Sequence, residues 1–208
     1  FGHWGVMSDI RVVDNFCSTV AVVDMQGAHS VGLAYTASNT DRSAASAVGL
    51  YALRNEIHVN DNNAGGCINL NGDQHTGDSS NNISRNNKCY VSGGSRNAHE
   101  SIDSFCILVM AAGHNNTIDN NYCDKGRFPA PGKGAIVVGP SNLRPVVKGN
   151  TINNWAASAK GVIIVSSPGA VVTGNRGTRV TLPFLGQTDA SVSVTANSYT
   201  NPIPAKRF

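Results

Sequence analysis

Short runs of β-branched and apolar residues recur along the chain, and each is bounded by glycine, serine, asparagine or proline. The clearest runs cover residues 67–70, 106–109, 135–138 and 162–165. Runs of this length and composition, with turn residues on both sides, predict β-strands. Their recurrence in the same form predicts that they occupy equivalent places in a repeated structure.

We predict that these strands stack in register. Stacked strands lie about 4.8 Å apart, so that like residues contact like residues along the core. The predicted inward columns are Ile68, Ile107, Ile136 and Ile163, and Leu70, Val109, Val138 and Val165; the residues between them, Asn69, Leu108, Val137 and Ile164, alternate to the outer face. Three of those outer residues are large and apolar, so we expect loops of the same chain or another subunit to cover that face.

Asparagine recurs in phase with isoleucine. The pattern Asn-x-Ile begins at Asn55, Asn81, Asn116 and Asn150, and Asn175 and Asn197 continue the series in weaker form. Such spacing is typical of a coil of roughly 22 residues with loops inserted into some coils. Asparagine tolerates left-handed backbone at sharp turns, and stacked asparagine amides can hydrogen-bond from coil to coil. Residues 1–46 lose this phase and are predicted to form irregular early coils or a leading segment before a repeat region over 47–208.

The repeat is most complete at residues 114–121 and 148–154. These segments resemble the repeat of pectate-lyase-like proteins, and the resemblance implies an all-β, right-handed parallel β-helix solenoid. A β-sandwich is the alternative with equally many short strands. The Asn series spans only six coils and shows no terminal cap, which predicts a fragment of a larger, trimeric fibre or spike.

Composition narrows the possible functions. The 208 residues carry a net charge of +3, with only 14% charged residues. No apolar run is long enough to span a bilayer, and no basic cluster is interleaved with aromatics, so neither membrane insertion nor nucleic-acid binding is expected. No signal peptide is evident. The five cysteines are odd in number and lack a CxxC pair, which predicts free buried thiols from a reducing compartment rather than disulfides or a zinc site.

These features together are similar to those of bacteriophage tailspikes and related depolymerases. That resemblance implies a homotrimer in the virion tail, made in the bacterial cytoplasm, that binds and hydrolyses a bacterial surface polysaccharide, either capsule or O-antigen. Three alternatives remain open. The chain could be a polysaccharide lyase with a Lys or His base, a non-catalytic receptor-binding or structural β-helix, or a secreted bacterial carbohydrate lyase or epimerase.

Catalytic candidates lie in two inserted loops. Hydrolysis of a glycosidic bond requires two carboxyl groups that face it. The loop 71–81 and the loop 92–104 supply the predicted catalytic residues Asp73, His75, Asp78, Glu100 and Asp103. The hypothesis requires both loops to emerge on the same side; otherwise these residues are polar turns and a solvated charged loop.

Substrate contacts are predicted from cationic and aromatic residues near the same strands. The predicted substrate-binding residues are Arg96, Arg127, Lys133, Lys160 and Trp155. Lys133 and Lys160 each stand three residues before an aligned isoleucine, so they are expected to share a column with Ser104. The sequence has no in-register aspartate cluster, so no metal and no cofactor is predicted.

Overall fold

The structure is a computed structural model. It describes residues 2–3, 6–20, 30–37, 46–60, 65–71, 78–92, 105–109, 112–125, 134–139, 141–155, 160–164, 167–180, 182–186 and 192–200. All regular structure in these ranges is β-strand. In this part of the chain no helix is long and apolar enough to cross a membrane.

The strands are short and follow one another through brief turns or longer insertions. In chain order they are β1 (Gly2–His3), β2 (Val6–Ser8), β3 (Arg11–Val13), β4 (Phe16–Val20), β5 (Ser30–Ala37), β6 (Ser46–Val48), β7 (Tyr51–Leu53), β8 (Glu56–Asn60), β9 (Gly65–Asn71), β10 (Ser79–Ser80), β11 (Ile83–Arg85), β12 (Lys88–Ser92), β13 (Phe105–Val109), β14 (Gly113–His114), β15 (Thr117–Asp119), β16 (Tyr122–Asp124), β17 (Gly134–Val138), β18 (Asn142–Leu143), β19 (Val146–Lys148), β20 (Thr151–Asn153), β21 (Lys160–Ile164), β22 (Val171–Thr173), β23 (Arg176–Thr178), β24 (Leu182–Gly186), β25 (Ser193–Thr195) and β26 (Ser198–Thr200).

Three parallel sheets of seven described strands each contain most of these elements. Sheet I has the order β3-β7-β11-β15-β19-β22-β25, sheet II the order β4-β8-β12-β16-β20-β23-β26, and sheet III the order β1-β5-β9-β13-β17-β21-β24. The chain passes from sheet I to sheet II to sheet III and then returns to sheet I beside the previous strand. We call one such passage a coil and number the coils 1 to 7 from β3. This path is compatible with a β-helix solenoid, as the Asn and Ile repeats predicted.

A buried column of asparagines marks the turn from sheet I to sheet II. In each pair of neighbours the backbone N–H and the side-chain Nδ2 of one asparagine both donate to Oδ1 of the next, at 2.9–3.1 Å. The column consists of Asn15, Asn55, Asn87, Asn121, Asn150, Asn175 and Asn197. The residue before each asparagine has a positive φ of 52–65°, so one left-handed residue makes the corner and the amide then satisfies the buried backbone. The predicted coil-to-coil hydrogen bonding of asparagine is confirmed.

The register of that prediction needs one correction. Asn55 and Asn150 belong to this column, but the predicted Asn81 and Asn116 stand at the earlier turn that leads into sheet I. There Asn81 is the left-handed residue, and the N–H of the next residue, Asn82, donates to Asn116 Oδ1 at 3.0 Å. The sequence separations within the true column are 40, 32, 34, 29, 25 and 22 residues. The shortest separation matches the expected coil of about 22 residues.

Sheet III confirms most of the predicted isoleucine column. Ile107 pairs with Ile68 on one side and with Ile136 on the other. The fourth member is wrong by one residue, because Ile136 pairs with Val162 and Val137 pairs with Ile163. Val137 lies on the predicted outer face but is only 1% exposed within the single chain. The chain itself therefore covers the sheet at that position.

The core corrects the prediction for the cysteines. Cys67 and Cys89 form one disulfide and Cys106 and Cys123 form another, with Cα–Cα distances of 5.9 and 5.8 Å. All four are at most 1% exposed, and Cys17 is the one free thiol. The pairs could not be seen as a motif because the partners are 22 and 17 residues apart and meet only when successive coils stack.

Residues near the N-terminus are more regular than predicted. Strands β3 and β4 pair with β7 and β8 residue by residue, and Asn15 heads the asparagine column. The repeat was hidden here because Cys17 occupies the inward position that Ile57 occupies in the next coil.

Candidate functional site

The outward side of sheet II carries a row of charged, polar and aromatic side chains. Strand alternation fixes their direction, because the intervening Ile57, Cys89, Cys123 and Ile152 are buried in the core. The first and third residues after each column asparagine therefore point outward. We call these residues of coils 1 to 5 the sheet II face; they are Phe16, Ser18, Glu56, His58, Lys88, Tyr90, Tyr122, Asp124, Thr151 and Asn153.

Four aromatic rings of this face form a continuous stack along the coils. The ring centroids of Phe16 and His58 are 5.3 Å apart, those of His58 and Tyr90 are 4.5 Å apart, and those of Tyr90 and Tyr122 are 5.6 Å apart. His58 and Tyr90 lie nearly parallel, at 22°. The faces of these two rings therefore cover each other, whereas the Phe16–His58 and Tyr90–Tyr122 contacts are tilted, at 42° and 50°. Phe16, at the end of the stack, is 68% exposed.

Glu56 lies at the centre of a small charge cluster. Its two carboxylate oxygens are 3.0 Å from His58 Nε2 and 3.4 Å from Lys88 Nζ. The hydrogen bond from His58, followed by that from Lys88, lowers the pKa of Glu56. Glu56 is therefore an ionised hydrogen-bond acceptor at neutral pH. The cluster is well exposed to solvent, so it contributes little to stability.

A second polar group lies two coils further along. Tyr122 Oη donates to Asp124 Oδ2 at 2.9 Å, and Asn154 Nδ2 donates to Asp124 Oδ1 at 2.9 Å. The Asn153 side chain reaches Tyr122 Oη at 3.4 Å. Partial burial raises the pKa of Tyr122, so its hydroxyl remains protonated and can donate.

Directly beneath this group lies a lysine in the core. Lys125 is 1% exposed, and its Nζ is 5.2 Å from the centre of the Trp155 ring. Burial lowers the pKa of Lys125 to about 8. The cation is held against the aromatic ring, an arrangement that offsets part of the cost of removing it from water.

Trp155 does not occupy the place predicted for a sugar-stacking residue. Its side chain is 0% exposed and packs in the core, so neither ring face is available to a ligand. The sequence pattern explains the error: Trp155 follows the outward Asn153 and left-handed Asn154, and that corner turns it inward.

Two more predicted residues lie within the described ranges. Asp78 accepts a hydrogen bond from the Ser80 hydroxyl, and Ser80 Oγ also lies 2.8 Å from His114 Nδ1. This order, with a fully buried serine between the two, differs from a catalytic triad, in which histidine lies between serine and the acid. Lys160 begins β21 two residues before Val162, the partner of Ile136. It therefore falls one residue out of the column predicted for it.

The remaining predicted residues lie outside the described residues. They are the catalytic candidates Asp73, His75, Glu100 and Asp103 and the substrate-binding candidates Arg96, Arg127 and Lys133. Their roles stay predictions. In the part of the chain that the structure describes, no three metal-ligating side chains come together.

Sequence reasoning missed the sheet II face. It assigned no role to His58, Tyr90 or Tyr122. The signal was present, because each of these residues stands one or three positions after an asparagine of the true column. The predicted asparagine series combined residues from the turns before and after sheet I, so these side chains were not aligned with one another.

Comparisons with known proteins did not supply a family. No family model, no curated protein and no solved structure matches this chain. Function is therefore argued from the geometry of the chain itself.

Proposed function

We propose that this chain is a right-handed parallel β-helix that binds a polysaccharide along the sheet II face. The observation that carries the proposal is the unbroken outward row of acidic, basic, hydroxyl, amide and aromatic groups over coils 1 to 5. Four coil steps of about 4.8 Å make this row about 19 Å long. A linear polymer with repeated hydroxyl groups could form hydrogen bonds along the whole length of this row.

The chemistry of the face suits sugar hydroxyls. The carboxyl oxygens of Glu56 and Asp124 can accept hydrogen bonds, the Lys88 ammonium can donate them, and Asn153 can do both. Because the rings of His58 and Tyr90 cover each other, the face would recognise sugars mainly through ring edges and hydrogen bonds. Exposed Phe16 is the ring that could stack on a sugar directly.

The right-handed winding of the solenoid is part of the proposal. All pairings between neighbouring described strands are parallel. Connections between parallel strands of one sheet are right-handed in about 98% of known cases. That rule supports a right-handed helix here.

We further infer that the protein works in an oxidising compartment, as a secreted monomer. Two fully buried disulfides favour this location, because cytosolic thiols are kept reduced. The burial of Val137 within one chain weakens the case for a trimer, because the chain itself covers that apolar outer residue. Both observations favour the secreted alternative over a tailspike assembled in the cytosol.

Hydrolysis is a second candidate function, and Glu56 and Asp124 are the two acidic residues of the sheet II face that it would use. Glu56 aligns with Lys88 and Tyr122, whereas Asp124 aligns with Tyr90 and His58. The two acidic residues are therefore two coil steps and two strand residues apart, about 12 Å between Cα atoms, which exceeds the range of about 6.5–9.5 Å for carboxyl pairs in inverting glycosidases. Ionised Glu56 would serve as the base that activates water. Both carboxyl oxygens of Asp124 already accept hydrogen bonds within the protein, from Tyr122 and from Asn154, so neither is placed to protonate a leaving group. Binding is therefore the better supported function.

A polysaccharide array tests the proposal. The oxidised protein is applied to immobilised bacterial capsules, O-antigens and plant cell-wall polysaccharides, and the strongest binder is measured by calorimetry. Glu56→Gln and Asp124→Asn preserve side-chain size, and each should weaken binding about tenfold, the loss of one charge-assisted hydrogen bond. Thr173→Ala on the outer side of sheet I is the matched control and should bind normally. Absence of binding to every polysaccharide, or equal binding by all variants, would contradict the proposal.

A further inference from the structure

The two disulfides occupy equivalent places in consecutive coils. Cys67 in β9 of coil 2 is joined to Cys89 in β12 of coil 3, and Cys106 in β13 of coil 3 is joined to Cys123 in β16 of coil 4. Each bond therefore crosses the core from sheet III of one coil to sheet II of the next. Together they bind coils 2, 3 and 4 into one covalent unit.

The clamped strands are the ones that carry the centre of the sheet II face. Cys89 lies between Lys88 and Tyr90, and Cys123 lies between Tyr122 and Asp124. The sulfur atoms fix these strands from the inside while their neighbours project outward. The coil steps with a disulfide are the two steps of the His58–Tyr90–Tyr122 ring contacts.

The fold itself does not require a disulfide at this place. In the next coil step the equivalent positions are Ala135 and Ile152, because Ile136 pairs with Ile107 and Ile152 pairs with Cys123. Both side chains are fully buried and fill the core without a covalent bond. The asparagine column continues unchanged through that step, from Asn121 to Asn150.

We propose that the two disulfides are positioning elements of the sheet II face: they tie β12 and β16 to the coil before each and so pre-organise the ring stack and its flanking charges for a ligand. This inference rests on the proposed function for its consequence in binding. The dependence of the ring stack on the disulfides can be tested without any ligand. Pre-organisation raises affinity because less ordering remains to be done on binding.

The test uses the double variants Cys67→Ala/Cys89→Ala and Cys106→Ala/Cys123→Ala. Proton NMR of the His58 ring reports the stacked Tyr90 ring through its ring-current shift. We expect the first variant to lose much of that shift and the second to keep it, because the second bond governs the step from Tyr90 to Tyr122. Far-ultraviolet circular dichroism should show an intact β-sheet in both.

Binding is then measured with the polysaccharide that the unmodified protein binds most tightly on the array. Each variant should bind it about five- to tenfold more weakly, as a loss of pre-organisation predicts. An unchanged His58 shift in a folded first variant overturns the proposal, and so does loss of the β-sheet signal, because the disulfides would then serve the whole fold. If the unmodified protein binds no polysaccharide, the proposed function fails while the NMR result still decides the positioning role.

Discussion

Asn121 donates from both its backbone N–H and its side-chain Nδ2 to the Oδ1 of Asn150, at 2.9 and 3.0 Å, although the two residues are 29 positions apart. The same Nδ2 also donates to the Ser84 carbonyl of the preceding coil at 2.9 Å. One side chain therefore connects three coils. This geometry repeats along the column and makes each internal asparagine both a donor and an acceptor in the core.

Replacing Asn121 with alanine should destabilise the protein by about 2–4 kcal/mol. The Asn87 N–H and Nδ2 would lose their acceptor, and each unsatisfied buried group costs about 1–3 kcal/mol. Urea denaturation followed by circular dichroism measures the loss. Asn197→Ala is the matched control: Asn197 is half-buried and its Oδ1 serves one neighbour, Asn175, so its cost should be clearly smaller. Equal costs at the two positions would be evidence against a cooperative column.

Thiol labelling should find one reactive cysteine. With iodoacetamide in denaturant and no reductant, we expect one alkylated residue, Cys17, and all five after reduction. The disulfide-closed loops have sequence separations of 22 and 17 residues, so each bond should contribute about 3 kcal/mol by the chain-entropy relation. Peptide mapping by mass spectrometry identifies the pairs. Five alkylated cysteines in oxidised protein would remove the argument for a secreted protein.

Lys125→Met should remove a rise in stability between about pH 8 and pH 10.5. The folded pKa of Lys125 is lowered to about 8 from 10.5, so the unfolded chain binds the proton more tightly than the folded one between these values. The free energy of unfolding of the unmodified protein should therefore rise by about 3 kcal/mol from pH 8 to pH 10.5. Methionine binds no proton at either pH, so the variant should lack the rise contributed by this residue.

Exposed Lys88, for which no such burial exists, provides the control as Lys88→Met. Denaturation midpoints at pH 7, 9 and 10.5 measure the three proteins. A rise of the same size in Lys125→Met as in the unmodified protein would contradict a lowered pKa for Lys125.

Solution mass tests the proposed monomer. Light scattering coupled to size exclusion should give a mass near that of one chain, 21.7 kDa. The physical reason is that Val137, on the apolar outer side of sheet III, is already covered within one chain. A trimer would instead support the tailspike interpretation and would place a subunit interface elsewhere on the surface.

The strands and their stacking could be predicted from the sequence because the same residue types recur at equivalent positions of successive coils. Asparagine at a left-handed corner and isoleucine in the core are each required by local geometry, so the pattern survives in the residues themselves. Ile68, Ile107 and Ile136 were aligned correctly for that reason. The insertions between strands differ in length from coil to coil, so their positions could not be predicted from a repeated residue pattern.

The same chemistry also explains the errors. The two turns that flank sheet I both use a left-handed residue followed by a buried asparagine, as Asn81–Asn82 and Asn86–Asn87 show. The Asn-x-Ile pattern alone therefore does not distinguish one turn from the other. The disulfides and the sheet II face depend on the register between coils, so both were hidden until the asparagine column was assigned. Aligning Asn87 with Asn55 is enough to place Tyr90 beside His58, because each stands three residues after its asparagine.

Hydrogen exchange with and without ligand tests the central claim, that the sheet II face binds polysaccharide. The oxidised protein would be measured alone and with the best-binding polysaccharide from the array, and peptides covering each strand would be compared. Binding should protect β8, β12 and β16 and leave β7, β11 and β15 of sheet I unchanged. Protection confined to sheet I or to segments away from sheet II would contradict the account.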